Sequence, residues 1–206
     1  MIPAIKTTVR RYMRSFAQLL DKITKSKLTP NTVTLIGLFA HIPIAYLIAT
    51  NSYILAAILL IIFGLFDTLD GELARLQHRS SDKGMLLDAT TDRMKEVFLY
   101  TGAAYSLVFS AHPATAVLAV VALGASLCVS YVKAKGEAAV AARSKKIEHH
   151  VLNRMFADGF LTFEVRMVVL ILGLLTGYLA IALAFIAVFA SYTAVVRLVR
   201  ISHALS

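Results

Sequence analysis

The sequence predicts an all-α integral membrane protein: six transmembrane helices preceded by an N-terminal interfacial amphipathic helix. Three observations predict it. The 206 residues are 58% hydrophobic, well above the roughly 45–50% of soluble domains. The mean hydropathy is +0.73. The apolar residues come in long runs, each near the ~20 residues needed to cross a bilayer. Six such runs with short turns use most of the chain, leaving no room for a separate soluble domain.

The leading segment, 3–27, is too charged to span. Ile5, Val9, Met13, Phe16 and Leu20 recur at helical spacing, with Lys6, Arg10, Arg14, Asp21 and Lys25 on the other side. That pattern belongs to a helix lying in the membrane interface. Thr29-Pro30-Asn31 ends it and starts the next helix. Apolar runs follow at about 32–50, 53–77, 83–110, 113–136, 160–176 and 179–201, so the six-helix core occupies 32–201 of a single domain covering 1–206. The separators are Thr50-Asn51-Ser52, the segment His78–Lys83, His112-Pro113, the polar stretch Gly136–Asp158, and Gly177. No internal repeat is visible, so the inverted halves of many secondary transporters are not expected.

Charge gives the expected orientation. With a cytoplasmic N-terminus, the outer turns are Asn51-Ser52, Ala111-His112 and Thr176-Gly177, and none carries a Lys, Arg, Asp or Glu. All 21 Lys and Arg fall toward the opposite side, as the positive-inside rule requires. Both termini, and the chemistry, should therefore face the cytoplasm of a multi-pass plasma-membrane protein. The formal charge of +9 is explained by these basic loops; with no basic soluble module in view, nucleic acid is not an expected partner. A single cysteine, Cys128, lies inside an apolar run, which excludes a disulfide framework and a thiolate metal site. No cleavable signal peptide is expected, because the first apolar run follows a long basic segment without a small-residue cleavage site.

The acidic residues carry the functional argument. Asp67, Asp70, Gly71 and Ala74 are spaced i, i+3, i+4, i+7 and share one helix face. Gly84, Asp88 and Asp92 are spaced i, i+4, i+8 and share a face of the next helix. A short turn joins the two helices, so they are antiparallel neighbours and the two acidic faces can meet. Four carboxylates at close quarters repel one another, and burial disfavours the charged form. Ionisable residues at membrane depth are functional by default, and hard oxygen donors suit Mg²⁺, Mn²⁺ or Ca²⁺. Four Asp residues suffice for two ions, and paired ions act as a clamp for displacement at phosphorus. Gly71, Ala74 and Gly84 leave room for close helix packing or for a nucleotide to approach the backbone.

The pattern D-x2-D-G-x2-A-R-x8-G-x3-D-x3-D, from Asp67 to Asp92, resembles the signature of the CDP-alcohol phosphatidyltransferases, and every signature position is present. The likeness extends over the whole chain, with an interfacial first helix, six spans, and the motif across the second and third. The resemblance implies that Asp67, Asp70, Asp88 and Asp92 ligate two divalent ions, Mg²⁺ or Mn²⁺. It implies that Asp92 is also the general base on the acceptor hydroxyl. Gly71, Ala74, Arg75 and Gly84 would shape the CDP site, with Arg75 near the pyrophosphate. Ser81, and the segment Pro30–Thr34 with Asn31 and Thr34, would also reach the CDP-lipid, which is CDP-diacylglycerol or CDP-archaeol. A homodimer is a further implication.

Lys133, Lys135, Arg166 and Arg197 all fall on the cytoplasmic side, at depths suited to one cavity, and several cations aimed at one pocket suit a phosphorylated acceptor. Snorkelling of the same side chains to lipid headgroups is the plain alternative. The run Ser130–Ala138 resembles the prokaryotic phosphatidylinositol-phosphate and archaetidylinositol-phosphate synthase branch, as does Arg197 in Val196-Arg197-Leu198. There, the acceptor is myo-inositol 1-phosphate. The segment Leu161–Met167 departs from that branch by keeping one Arg and no Pro. Glycerol 3-phosphate stays open as the acceptor. A cation transporter using the Asp cluster for transit is the reading from another class; it would have no use for Gly71, Ala74 and Arg75.

Overall fold

The computed structural model describes residues 3–141 and 161–205. Among these, all regular structure is helical: α1 Pro3–Thr24, α2 Pro30–Ala49, α3 Tyr53–Gly64, α4 Phe66–Leu76, α5 Asp82–Val108, a 3₁₀ turn Pro113–Thr115, α6 Ala116–Ala141, α7 Phe163–Thr176 and α8 Leu179–Leu205. The expected polar stretch lies outside the described residues from 142 onward, as does the start of the fifth run at 160. The chain divides into two compact units, Met1–Ser106 and Leu107–Ser206.

Among the described residues, four helical stretches are long and apolar enough to cross a membrane: Pro30–Ala49, Tyr53–Leu76, Pro113–Val140 and Leu179–His203. The other two expected spans fall short of that measure for visible reasons. The N-terminal half of α5 carries Asp82, Lys83, Asp88, Asp92, Arg93, Lys95 and Glu96. The described part of α7 is 14 residues long. Large apolar side chains also point outward, among them Ile54, Leu55, Ile58, Ile61 and Ile62 on α3 and Ile181, Val188 and Val195 on α8. Water would penalise such faces, whereas lipid does not.

In the first unit, Thr29 caps α2 in extended geometry, its side chain accepting from the Thr32 N–H at 3.2 Å, with Pro30 at the first helical position. This is the start that Thr29-Pro30-Asn31 predicts. The second expected run is not one continuous helix. It breaks at Leu65, whose N–H turns to the Ile62 carbonyl at 3.2 Å, so α3 and α4 are separate elements. Gly64, a weak helix former, precedes the break, and a Cβ added there would meet nothing within 4 Å. Helix α4 ends in a Schellman-type turn. His78 is left-handed at φ 53°, and the Arg79 N–H reaches the Ala74 carbonyl at 2.9 Å. Two residues later Ser81 caps α5, its Oγ accepting from the Gly84 N–H at 3.1 Å. The α4–α5 connection is thus a tight hairpin, which makes the two motif helices adjacent.

Helix α4 has two distinct faces. Leu69 and Leu73 are buried with Ala17 of α1 and Val33 of α2, and Met13, Leu20, Leu28 and Phe66 pack around them. Asp67 and Asp70 lie off this apolar face. Helix α1 therefore seats α4 from behind, and Gln77 strengthens the seat by donating to Asp21 at 2.6 Å and to the Leu28 carbonyl at 2.9 Å. Gly102 lets α5 approach α2: a Cβ there would sit 2.3 Å from the Ala45 carbonyl oxygen.

In the second unit α8 packs against both α6 and α7. Small buried residues on α6, Ala119, Ala122, Ala125 and Ser126, permit close helix approach. The α7–α8 hairpin turns on Gly177 at φ 75°. It needs a glycine at 173 too, because a Cβ there would lie 2.4 Å from the Ala182 Cβ.

Candidate active site

Three of the expected carboxylates converge. One oxygen each from Asp67 and Asp70 on α4 and Asp88 on α5 lie within 4.8 Å of one another. Each has a different partner. Asp70 is buried, and its Oδ2 accepts from the Thr34 hydroxyl at 2.6 Å. Asp67 accepts from the Lys95 ammonium. Asp88 Oδ1 is fully buried and has no hydrogen-bond partner among the described residues.

Asp92 falls outside this trio. It accepts from Lys95 Nζ at 3.2 Å and has the Arg93 guanidinium 3.8 Å away. Lys95 thus bridges Asp67 on α4 and Asp92 on α5, at 1% side-chain exposure. Three of the four expected carboxylates thus meet directly, and Asp92 is linked to Asp67 through the buried Lys95. Asp92 lies one helical turn beyond Asp88 on α5.

The residues expected at the CDP-lipid separate into groups. Asn31, Ser81 and Gly84 come together, since a Cβ on Gly84 would lie 3.3 Å from Ser81 Oγ and 3.6 Å from Asn31 Oδ1. Gly71 faces open space except for Arg75 Nη2, 3.6 Å from where a Cβ would be. Ala74 follows Gly71 on α4 and is half-buried. Arg75 is tied to Glu72 at 2.5 Å, and Glu72 also accepts from Arg10 of α1 at 3.2 Å. Thr34 is engaged with Asp70, which makes it a partner of the carboxylate trio.

In the second unit, the four cations expected at the acceptor fall into two pairs. Arg166 and Arg197 are buried at 1% and 5% exposure. They donate to the Leu161 carbonyl at 3.0 Å and the Val129 carbonyl at 3.2 Å respectively. Arg197 Nε is buried with no hydrogen-bond partner among the described residues. Lys133 and Lys135 are exposed. The first lies 3.8 Å from Glu137 and the second over the Tyr131 ring at 5.7 Å.

Lys95 and Glu72 were not among the residues singled out from sequence. Lys95 had a signal: it lies three residues after Asp92 in an expected span, where an ionisable side chain needs a reason. Glu72 sits inside the motif at a position the pattern leaves open, and only its contact with α1 distinguishes it.

The fold and site define a class: an all-helical membrane protein with a carboxylate cluster between two antiparallel helices. The profile of the CDP-alcohol phosphatidyltransferases matches residues 27–196; the chain belongs to that family and is a multi-pass membrane protein. It is 41% identical over 117 residues to a phosphatidylinositol phosphate synthase of Corynebacterium glutamicum, covering 55% of this chain and 53% of that one. The match thus spans about half the length of that relative. The crystal structure of Mycobacterium tuberculosis phosphatidylinositol phosphate synthase with CDP-DAG bound is similar, with a TM-score of 0.78 and 25% identity over 93% of this chain and 94% of that one. The same enzyme in complex with manganese and citrate gives a TM-score of 0.78 and 25% identity over 92% and 88%.

Proposed function

We propose that this chain transfers a phosphatidyl-type group from a CDP-diacylglycerol-type lipid to a small phosphorylated alcohol, myo-inositol 1-phosphate, with release of CMP. The observation that carries the reading is the Asp67–Asp70–Asp88 trio, in which one oxygen is buried with no donor among the described residues. A divalent cation fits there: the donors are hard oxygens, they converge from two helices, and the carboxylates outnumber the cationic side chains that reach them. Asp67, Asp70 and Asp88 would hold Mg²⁺ or Mn²⁺, with Asp92 completing a second position. When bound, the metal would neutralise pyrophosphate charge and ease departure of CMP.

The chain's own residues do the rest. Asn31, Ser81, Gly84, Gly71, Ala74 and Arg75 line the approach for the CDP moiety, and Thr34 holds Asp70 in place. The acceptor hydroxyl oxygen attacks the lipid-side phosphorus, the bond from that phosphorus to the bridging oxygen breaks, and CMP leaves with the electron pair. Asp92 takes the hydroxyl proton, a role contributing on the order of 10²–10⁴-fold. Positioning and charge stabilisation supply the remainder.

Lys133, Lys135, Arg166 and Arg197 are the cations assigned to the acceptor phosphate, and burial of Arg166 and Arg197 would strengthen their field. The named relatives support inositol phosphate as the acceptor. We read the whole chain as one catalytic domain, with six spans in the plasma membrane, α1 in the cytoplasmic interface, both termini and the active site cytoplasmic, and a homodimeric assembly. Exposed Tyr12, Phe16, Leu19 and Ile23 on α1 support the interfacial placement.

The test is CMP release by purified protein supplied with CDP-diacylglycerol and Mn²⁺ or Mg²⁺, against inositol 1-phosphate, glycerol 3-phosphate, serine and inositol in turn. Inositol 1-phosphate should give the fastest release, and chelation should stop it. Preference for glycerol 3-phosphate would correct the acceptor. Metal flux into vesicles, with no CMP from any alcohol, would replace the enzyme reading by the transporter one.

A further inference from the structure

Among the acidic residues of α4, Asp67, Asp70 and Glu72, only the last stands outside the carboxylate trio. Its side chain is 8% exposed, yet both of its partners are half-exposed guanidiniums, Arg10 of α1 and Arg75 of α4. One oxygen serves both: Glu72 Oε1 accepts from Arg75 Nη2 at 2.5 Å and from Arg10 Nε at 3.2 Å. A nearly buried carboxylate needs cations to satisfy it, and here they come from two different helices. Arg75 has no other hydrogen-bond or ion-pair partner among the described residues. Its Nη2 lies 3.6 Å from where a Cβ on Gly71 would be. The guanidinium is therefore held beside a position of the motif that has no side chain, with one N–H engaged and the others available to an anion.

We propose that Glu72 is a positioning residue for the CDP-lipid: it fixes the Arg75 guanidinium beside Gly71 before substrate arrives, and Arg10 of α1 in turn fixes Glu72. The inference rests on the reading of Arg75 as a CDP-lipid contact and deepens it. A long side chain left free in solvent loses rotamer freedom when it is ordered on a ligand. Pairing with Glu72 takes that loss during folding, so the remaining N–H groups meet a phosphate oxygen with little rearrangement. Glu72 can do this only while its own carboxylate is held, and the Arg10 bond from α1 is what holds it from the far side. Helix α1, seated on α4 through Ala17, Leu69 and Leu73, thereby acts on substrate affinity although none of its own residues is assigned to the substrate.

The experiment is steady-state CMP release by the purified chain in lipid nanodiscs at saturating Mn²⁺. CDP-diacylglycerol is varied first, and then the acceptor: inositol 1-phosphate, or glycerol 3-phosphate if that is the faster one. Glu72→Ala should raise the KM for CDP-diacylglycerol by about tenfold, the scale of a lost hydrogen bond to a charged group, and leave kcat and the acceptor KM nearly unchanged. Glu72→Gln, which keeps an acceptor oxygen without the charge, should fall between. Arg10→Met should raise the same KM by about two- to fivefold, as loss of a half-exposed ion pair does. Adding Glu72→Ala to Arg75→Ala should raise that KM no further, because a residue acting through Arg75 then has nothing left to position. A further, additive rise in the double variant overturns the proposal, since a merely structural Glu72 would produce it. So does an unchanged KM for CDP-diacylglycerol in both Glu72→Gln and Arg10→Met, even if Glu72→Ala fails to fold. A wild-type KM in Arg75→Ala overturns the reading of Arg75 as a CDP-lipid contact and the proposal with it. No CMP release by the wild type from any alcohol overturns the proposed function itself.

Discussion

Replacing Thr34 with valine removes one hydroxyl at nearly constant shape. In the wild type that hydroxyl donates to Asp70 Oδ2 at 2.6 Å, and both residues are buried. A hydrogen bond to a charged group contributes about 1.5–3 kcal/mol, and about 1.4 kcal/mol is tenfold in an equilibrium constant. Partners that orient a metal-binding carboxylate typically matter by about 10–100-fold in metal affinity. The two routes agree: Thr34→Val should raise the Mn²⁺ concentration for half-maximal CMP release by about 10–100-fold, and saturating Mn²⁺ should restore most of the turnover. The assay is CMP release across a Mn²⁺ series at fixed CDP-diacylglycerol and acceptor, repeated across a CDP-diacylglycerol series at saturating Mn²⁺. The sequence-based expectation differs, because it has Thr34 touch the CDP-lipid directly. An unchanged Mn²⁺ midpoint with a raised KM for CDP-diacylglycerol would refute the structural reasoning and restore that expectation.

Asp92→Asn should reduce turnover by at least about 10²-fold, the scale of a lost general base, while CDP-lipid binding is largely kept; normal turnover would remove the base assignment. Gly102→Ala places a Cβ 2.3 Å from the Ala45 carbonyl oxygen, so thermal unfolding in detergent should show a loss of about 1–3 kcal/mol. Gly124→Ala, where a Cβ meets nothing within 4 Å, should be neutral or slightly stabilising by comparison. Lys135→Ala should raise the KM for the acceptor much more than that for CDP-diacylglycerol, measured by steady-state CMP release; equal effects on both would argue against a dedicated acceptor pocket.

Much of the fold was legible from local pattern. Hydropathy placed the four long apolar stretches, because a membrane span needs its apolar residues in sequence. Thr29-Pro30 marked the start of α2 through capping chemistry that is local by nature. The trio Asp67, Asp70 and Asp88 followed from helical spacing plus a short turn. The break at Leu65 was hidden, since the apolar run continues without interruption from Ile54 to Phe66 and Gly64 alone is a weak local signal. The second role of α1 was hidden as well. Its sequence reads as an interfacial helix, yet Met13, Ala17 and Leu20 pack on Leu69 and Leu73 of α4. Arg10, from its charged side, reaches Glu72.

The sequence by itself determined which side chains are available and which share a helix face, because 3.6-residue periodicity and hydropathy act over a few turns. Only the tertiary structure decided who meets whom across helices: Lys95 between Asp67 and Asp92, Thr34 on Asp70, Glu72 between Arg10 and Arg75. Those pairings depend on how far each helix is rotated and slid against its neighbours. Side-chain volume at distant positions sets that, as Gly102 against Ala45 does for α5 and α2, and no local periodicity records it.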